Sequence, residues 1–206
     1  MLDCNTYVIK GSPGIIIDPG NPDYLSFRIN AMQQDGIKPG DIDTIVNTHL
    51  HIDHCGANEE FKKLSNARVA LYPVQKKNYQ LVVVDGARLF GMEPGEFTVD
   101  YLLEEPVLKS GNIQMEIISS PGHSPDCVCF YLQKEKVLVC GDVIFEMNTG
   151  RVDLPGGNTD DLKKSIESLS RLDIEYLLPG HMGVVAGAEK VKQNFDFIKS
   201  NVLPWL

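Results

Sequence analysis

The chain has 206 residues, 43% of them hydrophobic, a length and composition that suit one domain with a sizeable core. Its formal charge of −9 provides no basic surface for a polyanion, so we expect no nucleic-acid partner. Apolar runs reach only a few residues, far below the ~20 that cross a bilayer, and no signal peptide is evident. We therefore expect a cytoplasmic protein without a membrane partner, whose five cysteines stay reduced.

Hydrophobic periodicity predicts short strands alternating with amphipathic helices in the first half of the chain. The predicted strands cover residues 7–9, 14–17, 42–47 and 69–72, the first two as a hairpin, and the predicted helices cover residues 23–34 and 58–64. Asp18 falls in the turn after the second strand. The strand at 42–47 ends next to Thr48 and a run of histidines, which puts polar side chains on a strand-to-helix loop.

The second half of the chain repeats this pattern. Strands are predicted over residues 113–119, 127–132, 137–140 and 176–178, and helices over residues 159–172, capped by Thr159 or Asp160, and 188–202. Cys127 and Cys129 alternate along one strand, so they share a face and are expected in the core rather than on a metal. Two halves of strands with covering helices predict two sheets packed face to face with helices outside.

All five histidines fall in short polar segments that follow predicted strands. The candidate metal ligands are His49, His51, Asp53 and His54 within one six-residue segment, and His123, Asp142 and His181 farther along the chain. Imidazole and carboxylate donors together suit Zn, Fe and Mn. The cluster therefore predicts a metal centre, the alternative being a chance group of solvated polar side chains.

The segment THLHIDHCG resembles the HxHxDH signature of the metallo-β-lactamase superfamily, and SPGHSPD, CGDVIF and LPGHMG are similar to its three later ligand motifs. The resemblance spans nearly the whole chain and implies an α/β fold, a four-layer αββα sandwich in one domain over residues 1–206, with the metals at one edge. It also implies a first site of His49, His51 and His123, a second of Asp53, His54 and His181, and Asp142 as a bridge between the two.

Two divalent ions, with Zn expected and Fe or Mn as alternatives, could share a carboxylate and a hydroxide. That hydroxide is expected to attack a carbonyl polarised by one ion, so no side-chain nucleophile is needed. Asp53 can orient the hydroxide while it holds metal and is the predicted catalytic residue.

A further likeness narrows the predicted reaction. The stretch GDVIFEMNTGRVDLPGG resembles a GDxLF...GRxDLPGG segment of short glyoxalase II-like hydrolases, which implies cleavage of a thioester or related ester such as a hydroxyacylglutathione. Arg151 is the candidate substrate-binding residue, since a guanidinium can clamp a carboxylate of a small-molecule substrate. An ion pair between Arg151 and Asp153 is the equally weighted alternative.

Other activities within the superfamily stay open. Persulfide dioxygenases share these motifs and use a single Fe(II) held by residues matching His49, His123 and Asp142. A hydrolase for lactones or phosphodiesters is a second alternative, and a metal-stabilised binding module without turnover is a third.

Residues 74–108 form a longer interval than many short family members have, and they are rich in Val, Leu, Phe and Met. We interpret the interval as a helical flap over the metals that supplies an apolar pocket, with Leu89 and Phe90 as candidate contacts. A stabilising insertion or a homodimer contact are the alternatives. The family's first strand usually leads into an Asn-Cys-Tyr-like segment, here residues 4–7, yet only three residues precede this segment. An edge strand is therefore expected to be absent, or the natural start to lie upstream.

Overall fold

The computed structural model describes residues 3–89, 91 and 93–206, and its first half is built on a five-stranded sheet. The strands are β1 (Tyr7–Ile9), β2 (Ile15–Ile17), β3 (Thr44–Val46), β4 (Arg68–Leu71) and β5 (Tyr101–Leu102), lying side by side in that order. β1 and β2 are antiparallel, and β2 to β5 are parallel. Parallel strands share the direction of their carboxyl ends, which places the loops after β2 and β3 at one edge.

The second half forms a six-stranded sheet. Its strands are β6 (Val107–Ser110), β7 (Ile113–Ser119), β8 (Val128–Leu132), β9 (Val137–Gly141), β10 (Tyr176–Pro179) and β11 (Val185–Ala186), in spatial order β11-β10-β9-β8-β7-β6. β9 and β10 are parallel, whereas the other neighbouring pairs are antiparallel.

Seven α-helices connect and cover the strands in the part of the chain that the structure describes. They are α1 (Leu25–Gln34), α2 (Ile52–Cys55), α3 (Asn58–Ser65), α4 (Pro73–Tyr79), α5 (Gly86–Leu89), α6 (Thr159–Leu169) and α7 (Ala188–Phe197). A π-helical segment, Gln80–Asp85, joins α4 to α5, and another, Ile198–Val202, continues α7. Asn158, rather than the predicted Thr159 or Asp160, caps α6 by accepting a hydrogen bond from the Asp161 backbone at 3.0 Å. None of the helices described is long and apolar enough to span a membrane.

The core has three layers of side chains, and the position of β2 between two of them explains why the sequence of β2 is continuously apolar. Ile15 and Ile17 face the second sheet and pack in a cluster with Met115 and Phe130, whereas Ile16 faces the helices of the first half. Side chains alternate between the faces of a strand, so a strand covered on both faces needs apolar residues at every position. The second sheet buries its other face under α6 and α7.

This arrangement confirms the predicted α/β sandwich with helices outside two facing sheets. Cys127 and Cys129 share the face that packs under α6 and α7, as the alternation predicted, and all five cysteines are free thiols. The helical interpretation of residues 74–108 was wrong for its last part. Residues 101–102 form β5, an edge strand of the first sheet, and 107–108 begin β6, because backbone pairing with distant strands takes these residues into the sheets.

Candidate metal centre

The predicted ligands lie where strands end. His49 and His51 follow β3, and α2 carries Asp53 and His54. The remaining three, His123, Asp142 and His181, follow β7, β9 and β10 respectively. The structure brings all seven together between the two halves of the chain, so no single half supplies a complete set.

His49, His51 and His123 form the first group of donors. Nδ1 of His51 lies 3.0 Å from Nε2 of His49 and 3.0 Å from Nε2 of His123. Two nitrogens bound to one tetrahedral zinc are on the order of 3.3 Å apart, given Zn–N bonds near 2.0 Å. The three rings stand nearly perpendicular to one another, at 84 to 90°. The nitrogens therefore converge as ligands of one ion would.

The second group contains Asp53, His54 and His181, and Asp142 lies between the two groups. Nε2 of His181 is 3.2 Å from Oδ2 of Asp53 and 3.5 Å from Oδ2 of Asp142. The carboxylate of Asp142 also lies 3.2 Å from His54 and 3.6 Å from His123. Asp142 thus contacts both groups, the position that the family resemblance implied. A further donor set of His49, His54 and Asp142 lies across the two.

Two buried atoms of this cluster lack a hydrogen-bond partner among the described residues. They are Nε2 of His54 and Oδ1 of Asp142, which lie 3.2 Å apart without hydrogen-bond geometry. Buried polar atoms are almost always paired, because an unpaired one loses its hydration without compensation. An ion between these two atoms would satisfy both, so the residues present fit a bound metal.

The charge state of the cluster also suits a cation. Burial lowers the pKa of His49 well below its ordinary value, and burial with the His123 charge lowers that of His51 to about 3, so both are neutral ligands. Burial would raise the pKa of Asp142, yet neighbouring imidazoles, His54 first, hold it well below its usual range. Burial would lower the pKa of His54, but Cys4, Asp142 and Asp18 raise it. Positive charge is therefore favoured beside Asp142.

Asp18, for which the sequence predicted only a position in a turn, contacts the ligand cluster. Its Oδ2 accepts a hydrogen bond from Nδ1 of His54 at 2.9 Å and another from the Thr48 hydroxyl at 2.6 Å. A proton held on Nδ1 leaves the lone pair of His54 on Nε2, facing Asp142. The carbonyl of Arg151 fixes His123 in the same way, accepting from its Nδ1 at 2.7 Å. Its position in the sequence could have indicated this contact, because Asp18 directly follows a buried strand, β2, which is parallel to β3.

Asp126 is a second residue without a predicted role. It is fully buried and accepts hydrogen bonds from the backbone of Leu50, at 2.8 Å, and from the Ser124 hydroxyl. It therefore ties the loop of His49 and His51 to the loop of His123. Burial raises the pKa of Asp126 from 3.8 to about 6.

The loop that carries His181 is fixed by the start of the chain. The Asn5 side chain donates to the carbonyls of Pro179 and Met182, both at 3.0 Å, and the Tyr7 hydroxyl donates to Pro179 at 2.7 Å. A Cβ at Gly180 would lie 2.2 Å from Oδ1 of Asp142, so only glycine lets this loop approach the cluster.

A cavity of about 680 Å³ opens onto the donors. Its lining includes five donors, His51, Asp53, His123, Asp142 and His181, and it also includes Ile52, Val82, Val83, Gly86 and Ala87. Part of the predicted flap therefore does line the cavity. Leu89 is 63% exposed and is not among the lining residues, and Phe90 lies outside the described residues.

Arg151 also lines the cavity, but its side chain is already paired. Its Nε and one terminal nitrogen donate to the two carboxylate oxygens of Asp153, at 2.6 and 2.5 Å, on the exposed surface. This is the ion pair that the sequence analysis weighed as the alternative to a substrate clamp.

The model of the Metallo-beta-lactamase superfamily matches residues 1–181, which include all seven donors and strands β1 to β10. The chain belongs to the metallo-beta-lactamase superfamily. Among curated relatives in it, the chain is 34% identical over 187 residues to probable metallo-hydrolase MJ0888 of Methanocaldococcus jannaschii, with 86% of each protein covered. It is also 28% identical over 211 residues to acyl-coenzyme A thioesterase MBLAC2 of Gallus gallus, covering 91% of this chain and 75% of the relative.

Solved structures of superfamily members agree in fold. The B3 metallo-beta-lactamase BLEG-1 matches with 29% identity and a TM-score of 0.77, covering 92% of this chain and 90% of the other. TTHA1623 in a di-iron-bound form matches with 26% identity and a TM-score of 0.75, covering 98% and 95%. These matches confirm the family, the fold and the broad class of metallo-hydrolase, whereas the metal and the substrate stay predictions.

Proposed function

We propose that this chain is a metal-dependent hydrolase that cleaves a thioester or related ester bond of a small molecule, using two bound divalent ions. The observation that carries the proposal is the convergence of two groups of three donors that share contact with Asp142. Divalent ions in such a site supply a hydroxide near neutral pH and polarise the bond under attack.

The chain's own residues have separate parts in this reaction. His49, His51 and His123 would hold one ion, and Asp53, His54 and His181 the other, with Asp142 between them. Asp53 borders the cavity, and its side chain is 19% exposed, so its carboxylate can also accept a hydrogen bond from the attacking group and orient it. The hydrogen bonds from His54 to Asp18 and from His123 to the Arg151 carbonyl keep the ligand rings in place.

Thioesters are favoured over other substrates by two observations. MBLAC2, a relative over most of this chain, is described as an acyl-coenzyme A thioesterase. The segment around Arg151 also resembles that of glyoxalase II-like hydrolases. A thiolate leaves more readily than an alkoxide, so the reaction needs no acid positioned at the leaving group.

The test combines metal content with a substrate panel. Protein stripped by a chelator is reloaded with Zn, Fe or Mn and assayed on acyl thioesters, lactones and phosphodiesters. We expect two metals per chain and fastest cleavage of thioesters. His51→Ala and Asp142→Ala should lower metal content and rate together, by more than the 10- to 100-fold typical of an outer partner.

Asp196→Ala is the matched control, because Asp196 is exposed on α7, away from the cavity. Full activity in metal-stripped protein would contradict the proposal. One iron per chain, with oxygen consumption when glutathione persulfide is the substrate and no thioester cleavage, would favour the dioxygenase alternative instead.

A further inference from the structure

One part of the cavity lining is apolar, in contrast to the polar metal donors, and we call it the wall. Val82, Val83 and Ala87 are 3 to 5% exposed, and Ile52 joins them in the lining. None of these four side chains has a hydrogen-bond donor or acceptor. The wall therefore offers nothing to a hydroxyl, such as that of a hydroxyacyl group, and favours contact with an apolar group.

Ile52 links this wall to the metal donors, because it lies between His51 and Asp53 in the chain and lines the same cavity as Val82, Val83 and Ala87. A group bound on the wall would therefore share one cavity with the predicted point of attack. Arg151, in contrast, is at an exposed part of the lining. A substrate whose reactive carbonyl is at the metals can thus place an apolar acyl group on the buried wall and its leaving group toward solvent.

Gly86 is a position on this wall without a side chain. It follows the π-helical segment with helical dihedrals (φ −61°, ψ −48°) and lines the cavity together with Val82 and Val83. Among the described residues, a Cβ at Gly86 would meet only the Leu81 carbonyl oxygen, at 3.8 Å. Because Gly86 lies in the cavity lining, we expect a larger side chain there to extend into the cavity.

We propose that the wall of Ile52, Val82, Val83 and Ala87 binds the hydrocarbon acyl group of the substrate, and that Gly86 sets how long that group can be. This inference rests on the proposed function and narrows it to thioesters of unsubstituted fatty acyl groups. A cavity near 680 Å³ is within the range of small-molecule sites, roughly 300 to 1,000 Å³. Each methylene buried on the wall is expected to raise kcat/KM about fourfold.

The test uses metal-loaded protein and a series of thioesters of one thiol with acetyl, butanoyl, hexanoyl and decanoyl groups. In the wild type, kcat/KM should rise with acyl length. Gly86→Leu should lower kcat/KM for the decanoyl thioester by about tenfold or more while changing the acetyl value by less than about twofold. Val83→Ala, which enlarges the cavity, should raise kcat/KM for the decanoyl thioester relative to the shorter ones.

Gly40→Leu is the matched control. A Cβ at Gly40, like one at Gly86, would meet no described atom closer than 3.8 Å, but Gly40 is exposed and outside the cavity lining. It should leave the acyl-length dependence unchanged. Circular dichroism and metal content should match the wild type in both leucine variants.

A binding measurement separates the inference from the proposed function. Titration calorimetry of decanoate should show binding with a negative heat-capacity change in the wild type and in Gly40→Leu, and at least tenfold weaker binding in Gly86→Leu. Cleavage that is independent of acyl length, or unchanged by Gly86→Leu, would overturn the acyl-wall inference alone. Decanoate binding with no thioester cleavage in metal-loaded protein would overturn the proposed function. It would still support the binding of an apolar ligand to the wall.

Discussion

Oδ2 of Asp18 accepts a hydrogen bond from Nδ1 of His54 at 2.9 Å, and both side chains are buried. A carboxylate can only accept, so when a metal displaces one proton from the ring of His54, the remaining proton stays on Nδ1 and the lone pair is on Nε2. The orientation of one predicted metal ligand is therefore set by a residue 36 positions earlier in the chain.

Asp18→Asn tests this relationship with little change of backbone, because Asn tolerates the positive φ of 55° at this position. Its amide can donate to Nδ1 of His54 and move the ring proton to Nε2, where it would block metal binding. We expect a 10- to 100-fold loss of metal affinity at the second site and a fall from two metals per chain toward one. Elemental analysis after dialysis measures this. Asp23→Asn, an exposed aspartate nearby in sequence, is the control, and two retained metals in Asp18→Asn would contradict the assignment.

Arg151 and Asp153 give a prediction about substrate charge. If the guanidinium also binds a carboxylate of the substrate, Asp153 competes for it. Asp153→Asn should then lower KM for an anionic thioester several-fold and leave a neutral thioester unaffected, and Arg151→Ala should raise KM for the anionic one. The pair is exposed, so neither change should alter Tm measurably. Equal effects on both substrates would show that Arg151 forms the ion pair with Asp153 and does not bind the substrate carboxylate.

Asp126 gives a prediction about pH and stability. Its pKa is raised from 3.8 to about 6 in the fold, so the folded state favours the protonated form. As pH rises from about 4 to 6, the unfolded carboxyl ionises while the folded one does not, and the wild type loses stability over that window, on the order of 3 kcal/mol in total. Asp126→Asn does not titrate, and its amide can accept from Leu50 and donate to Ser124.

Urea unfolding at pH 4, 5 and 8 measures this difference. The free energy of unfolding of Asp126→Asn, relative to the wild type, should increase with pH up to about 6 and then stay constant. Histidine titration affects both proteins alike and cancels in the comparison. A difference that does not depend on pH would show that the buried carboxyl is not the source.

Metal loading should stabilise the protein as well as activate it. Because the donors come from both halves of the chain, an ion binds the folded state and has no preformed site in the unfolded one. At free metal about 1,000-fold above Kd, the gain is about 4 kcal/mol. Calorimetry with metal and with chelator measures it as a rise in Tm, which His51→Ala should reduce. An identical Tm under both conditions would argue against bound ions.

The sequence was most informative where a signal is local. The strands at 113–119 and 137–141 were predicted within a residue or so, because apolar residues alternate with polar ones in the first and are consecutive in the second, and the His123 and Asp142 motifs follow directly. β5 was missed because it has two residues, and its pairing partner, Ala70–Leu71, lies about thirty positions away. The same reason hid the role of Asp18. The ligand cluster could be predicted from motifs, but the bonds that orient it depend on which strands become neighbours.

The bonds from Asn5 and Tyr7 to the loop of His181, together with Asp3 in the cavity lining, have a practical consequence. Asp3 is thus both near the amino-terminal end and part of the cavity lining. An affinity tag attached ahead of it is expected to disturb the cavity or the position of His181, whereas one attached at the other end follows Trp205, which is 87% exposed. Kinetic measurements on this protein are best made with the tag at the carboxyl end.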